Sequence, residues 1–102
     1  MPHSKDVARM FKLETQYRGA TLRLELENNQ ARLLINGIVR DRGMVTSSLR
    51  LSTTVQTDYE WHEFIEGIIS REGKTLTAVL TASKAEVSRK DFAVIARDEV
   101  SL

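Results

Sequence analysis

No cysteine occurs in the 102 residues, which excludes disulfides and thiolate chemistry and agrees with a reducing compartment. Cytoplasmic localisation is the expectation. Long hydrophobic runs are missing too. Residues 1–17 alternate charged and apolar side chains without the roughly 7 to 15 apolar residues of a secretory signal. No segment approaches the ~18 apolar residues that span a bilayer, so no membrane partner is expected. Charge of one sign is scarce: 15 Lys and Arg against 14 Asp and Glu leave a formal charge of +1. With both signs interspersed, no strong field draws in nucleic acid or anionic lipid. The five glycines stand one at a time, so there is no phosphate-cradling loop, no nucleophile elbow and no zinc spacing. Two histidines are too few to make a hydrolytic triad a natural reading, and no cofactor is expected.

What is present is ordinary for a globular domain: 41% apolar and 28% charged residues, with no low-complexity block and no internal repeat. A chain of this length buries roughly two-thirds of its unfolded surface and supports one core without staples. Residues 1–8 hold the only proline and read as a flexible arm; residues 9–102 read as a single domain.

Strand signals fill the first half. Phe11, Leu13, Thr15 and Tyr17 share one parity and Lys12, Glu14 and Gln16 the other, the two-residue period of a half-buried strand. Arg18-Gly19 turns the chain. Leu22, Leu24 and Leu26 then alternate with Thr21, Arg23 and Glu25, and Glu27-Asn-Asn-Gln30 supplies hairpin chemistry leading to Ala31, Leu33 and Ile35. Asn36-Gly37 is a type I′ turn signal, but its closeness to the previous turn favours a bulge within one long strand, with Asp41–Met44 as the loop. Leu49, Leu51, Thr53 and Val55 mark a fourth strand, which completes a meander.

A helix is predicted over about 58–72. Thr57 and Glu60 fit a capping box, Gly73 closes the segment, and Trp61, Phe64, Ile65, Ile68 and Ile69 follow the 3, 4, 7, 8 spacing of one helical face. Lys74–Ser83 is β-rich and has no charge between Thr75 and Ser83. Such a window must be paired on both sides or sealed by a second subunit. Phe92, Val94 and Ile95 suit a short final strand. The predicted fold class is therefore α+β, an antiparallel meander of five to six strands with one amphipathic helix on its face. An all-β barrel with a lid helix is the nearest alternative. The expected core is Phe11, Leu13, Leu22, Leu24, Leu26, Leu33, Ile35, Leu49, Leu51, Val55, Trp61, Phe64, Ile65, Ile68, Leu76 and Leu80.

Three surface features are candidates for function. On a helix, Asp58, His62 and Glu66 stack at four-residue spacing and would line a cleft as a cation or proton site; against this, acids suit a first helical turn and a solvated face. Arg23, Arg32 and Arg50, outward on consecutive strands, would form a basic stripe able to track phosphates, although Glu25 shares that face and no aromatic is interleaved. Gly67, with Ser70 beside it, would leave a small spot on the outer helix face where another backbone approaches, a self-association candidate. The sequence thus favours a small non-enzymatic binding or protein-interaction module, expected as a homodimer. An enzyme or metal-binding domain built on Asp58, His62 and Glu66 is the alternative, and weak nucleic-acid binding the third.

Overall fold

The computed structural model describes residues 10–57 and 61–93. β1 (Met10–Tyr17), β2 (Ala20–Glu27), β3 (Gln30–Ile35) and β4 (Ile38–Met44) pair antiparallel in that order as sheet A. β5 (Ser48–Thr57), β6 (Trp61–Glu72), β7 (Thr75–Ala82) and β8 (Ala85–Ala93) do the same as sheet B. Two-residue turns join consecutive strands within β1–β4 and within β6–β8. Tight antiparallel hairpins need both central residues at positive φ to match the strand twist. Arg18-Gly19, Asn28-Asn29 and Asn36-Gly37 supply this with φ of 49 and 84°, 52 and 69°, and 52 and 82°.

The α+β expectation is corrected: the described residues are all β, and 61–72 is a strand. Its register explains why. β6 pairs with β5 from Trp61 to Ser70 and with β7 from Ile65 to Glu72, so ladder bonds on both flanks outweigh a local helical period. Three isoleucines and two aromatics in the segment suit a pleated surface, and Gly67 weakens a helix by about 1 kcal/mol. Two-residue parity then replaces the helical stripe. Ile65, Gly67 and Ile69 turn inward, whereas Phe64 is 38% exposed and Ile68 half-buried on the outer face. Gly73, at φ 61°, opens a hairpin instead of capping a helix. Tyr59, Glu60 and the Trp61 side chain, like the arm at 1–8 and Val94 and Ile95, lie outside the described residues.

The expected long strand through Asn36-Gly37 is also corrected. That dipeptide makes the turn between β3 and β4, and the irregularity falls one strand later, where Leu33 pairs with Asp41 but Leu34 with Val39, leaving Arg40 as an extra residue. The uncharged window became β7, paired on both sides.

The interior lies between the sheets. Leu22, Leu24, Leu33, Ile65, Ile69 and Leu80 are fully buried, each stabilising by roughly 1.5–3 kcal/mol relative to exposure. Of the expected core, Phe11, Leu13, Leu26, Ile35, Leu51, Val55 and Leu76 are also buried and Leu49 packs at the margin; Phe64 and Ile68 are corrected to the outer face, and Ile69, absent from that expected set, is buried instead. The sheets meet along both pairs of edges, β4 beside β5 and β1 beside β8. Phe11 of β1 stacks on Phe92 of β8, ring centroids 4.2 Å apart. At the other seam, side chains replace a ladder. Asp41 accepts the Ser52 N–H at 2.9 Å and its own neighbour's Arg42 N–H at 2.9 Å, while Arg40 donates to the Thr54 carbonyl at 3.1 Å. These contacts satisfy backbone groups on an edge that would otherwise invite another strand.

Candidate binding surface

Because the inner parity is consumed by leucine and isoleucine, the chemistry-bearing side chains fall on the outer faces. On sheet A the register sets them in rows across the four strands: Met10, Glu27, Gln30 and Met44 at one end, then Lys12, Glu25, Arg32 and Arg42, then Glu14, Arg23, Leu34 and Val39.

Glu25 organises this face. Its carboxylate accepts from Arg23 Nη1 at 2.8 Å and Arg32 Nη2 at 2.7 Å, and Arg23 also donates from Nε to Glu14 at 2.9 Å. Only 8% of the residue is exposed. Desolvation pushes the Glu25 carboxyl up, but the hydrogen bonds and charges of Arg23 and Arg32 together prevail and hold it below its ordinary value. The hydrogen bonds that Arg23 donates to Glu25 and Glu14 raise its guanidinium in turn.

Two grooves open on this face and share Glu27 and Arg32. The larger, about 600 Å³, runs past Gln30, Arg32, Arg42 and Met44, and the smaller, about 380 Å³, past Met10, Lys12 and Glu25. Met10 and Met44, 50% and 56% exposed, give adaptable apolar flanks.

Sheet B carries a counterpart. Glu66, 3% exposed, accepts from Arg50 Nη1 at 2.7 Å and from Thr81 Oγ1 at 3.2 Å, and Lys84 Nζ stands 4.0 Å away. The Arg50 hydrogen bond leads in holding this carboxyl below its ordinary value, against desolvation, with Lys84 adding charge. Glu63 has inner parity but sits at the end of the sandwich, where Ser83 Oγ donates to it at 2.6 Å and Arg18 Nε lies 4.0 Å off.

The residues singled out in the sequence are redistributed. Asp58 lies outside the described residues. His62 is exposed on β6 and Glu66 shares its face, but four residues along a strand span about 13 Å, not the single turn a helix would give. Among the described residues no group of three or more His, Cys, Asp or Glu side chains could hold a metal ion. Arg23 and Arg32 come together on Glu25, while Arg50 belongs to the other sheet and meets Glu66, so the three do not form one stripe. Gly67 is buried between the sheets, where a Cβ would lie 2.8 Å from Leu24 Cδ1; Ser70 is exposed on the outer face of β6. Arg42 was missed because Asp41–Met44 read as a loop. Taking Asn36-Gly37 at face value as a hairpin turn recovers β4, but an unbroken register from that turn sets Asp41 opposite Arg32; the extra residue at Arg40 is what brings Arg42 there.

Comparison with protein-family models, curated proteins and solved structures returns no match. Among the described residues no helix is long and apolar enough to cross a membrane.

Proposed function

We propose that this chain is a small non-enzymatic binding module, at work in the cytoplasm, whose working surface is the outer face of sheet A around the Arg32 groove. The observation that supports it most is the division of labour between parities: the interior is filled by aliphatic side chains, and the larger groove, with its mixed cationic and thioether lining, lies outside. Its volume falls within the range of roughly 300–1,000 Å³ typical of ligand sites. The acids that might have served chemistry are engaged instead as acceptors for arginine.

The alternative readings lose their supports. A helix-edge site at Asp58, His62 and Glu66 needs the helix. A nucleic-acid stripe needs three arginines on one face. A second subunit has no uncharged strand to seal, since β7 has neighbours on both flanks, and the outer strand β8 lies beside β1 and carries Glu86, Arg89, Lys90 and Asp91. A homodimer thus has no supporting feature among the described residues.

A fragment library screened by amide chemical-shift mapping tests the reading without foreknowledge of a partner. Hits should concentrate on β3, β4 and the adjoining part of β2. Hits gathered on the outer face of sheet B, or spread evenly over the molecule, contradict it.

A further inference from the structure

Across the outer face of sheet A the second row runs Lys12, Glu25, Arg32 and Arg42, so positive and negative charge alternate until the last step. There two arginines stand directly opposite each other in the register, Arg32 on β3 and Arg42 on β4. Directly opposed like charges destabilise an antiparallel pair. Arg32 spends one donor on Glu25 at 2.7 Å, out of the five a guanidinium carries. Arg42 has no acidic partner among the described residues, and both side chains line the groove of about 600 Å³.

We propose that Arg32 and Arg42 form a binding site for a carboxylate, resting on the reading of this face as the working surface. The molecule carries its own precedent one strand away: the Glu25 carboxylate sits between the guanidiniums of Arg23 and Arg32, receiving 2.8 and 2.7 Å hydrogen bonds. A ligand carboxylate between Arg32 and Arg42 repeats that arrangement and restores the alternation. Charge-assisted bonds from two planar forks favour a planar two-oxygen acceptor. Gln30 and Met44 on the same groove wall offer an amide and a thioether to whatever bears the acid.

The test is titration of the full chain with succinate and, separately, with an acetylated and amidated Gly-Glu-Gly peptide, read at the arginine Nε–Hε resonances, with sodium chloride at matched ionic strength as reference. The Arg32 and Arg42 signals should move together along one binding curve, and those of Arg50 and Arg89 should stay still. A tighter curve for succinate assigns a free organic acid, and a tighter curve for the peptide assigns a protein side chain. Arg42→Gln should weaken the response about tenfold, as loss of a charge-assisted partner does. Arg42→Glu, which supplies the missing carboxylate from within the chain, should abolish it and raise the urea midpoint. Equal shifts with chloride, equal movement of Arg50 and Arg89, an unchanged curve for Arg42→Gln, or a lowered midpoint for Arg42→Glu overturns the assignment. Fragment hits in the same groove that carry no carboxylate would overturn it as well, while leaving the binding-surface reading intact.

Discussion

A Cβ placed on Gly67 would lie 2.8 Å from Leu24 Cδ1 and 3.4 Å from Leu24 Cδ2. The central strand of sheet B gives up a side chain where the central strand of sheet A presents a fully buried leucine, and this fit lets the sheets close. Gly67→Val should destabilise by about 1–3 kcal/mol through overpacking, and Leu24→Ala by about 2–5 kcal/mol through a cavity. Because valine would occupy the space leucine vacates, the double variant should be more stable than the sum of the single losses implies, by about 1 kcal/mol or more. Urea denaturation of the four proteins measures this; strict additivity would mean that the two residues do not share the space.

Glu25 and Glu66 both sit below the ordinary carboxyl value in the folded chain. The unfolded chain therefore binds more protons in acid, and stability must fall as pH falls. The contribution is whole above about pH 5 and is lost progressively as pH drops through the ordinary glutamate value and then the lower folded ones. Urea midpoints should be nearly level between pH 7 and 5 and fall between pH 5 and 3. Glu66→Gln should start lower at pH 7 and fall less steeply, whereas parallel declines would remove Glu66 from the explanation.

Asp41 holds two backbone N–H groups at the seam between the sheets. Asp41→Ala should lower stability by about 1–3 kcal/mol, the cost of stranding such donors, and should speed amide exchange at Ser52 more than at buried positions of β6. Unchanged exchange at Ser52 would show that its N–H is satisfied elsewhere.

The β7–β8 turn places Ser83 and Lys84 at φ of 52 and 73°, a region that neither residue type favours. Ser83 is compensated by its 2.6 Å bond to Glu63. Lys84 is itself exposed and makes only long contacts, a 5.3 Å approach to the Phe64 ring and a 4.0 Å one to Glu66. Lys84→Gly should therefore stabilise the chain by roughly 0.5–1 kcal/mol. A drop in thermal midpoint would show that the lysine contacts outweigh the strain.

Much of sheet A was legible residue by residue. The parity of Phe11 to Tyr17 and of Thr21 to Leu26 gave β1 and β2 with their buried faces, and Asn28-Asn29 gave the hairpin that follows. Asn36-Gly37 carried its turn, and hence β4, plainly, whereas the placing of Arg42 opposite Arg32 depends on the extra residue at Arg40, which no local signal marks. The segment 61–72 failed for a different reason. Its apolar residues satisfy a helical period and its β-branched content a strand, and the choice falls to partners far along the chain, at 48–57 and 75–82, which no local pattern contains. Glu25 and Glu66 were visible as outward acids, but their enclosure by Arg23, Arg32, Arg50 and Thr81 exists only once the register is fixed. That register also dispersed the row of Asp58, His62 and Glu66, since spacing that converges on a helix separates on a strand.

The strand identity of 61–72 and its inward-facing glycine underlie both the core and the surface that the sheets leave outside. Nuclear Overhauser contacts from the Gly67 Hα protons, on a sample with labelled methyl groups, test both at once. Contacts to the Leu24 methyls across the interior, together with cross-strand contacts to Leu51 and Leu80, are the expected result. A ladder of contacts between residues three apart through 61–72, with none from Gly67 to Leu24, would contradict it.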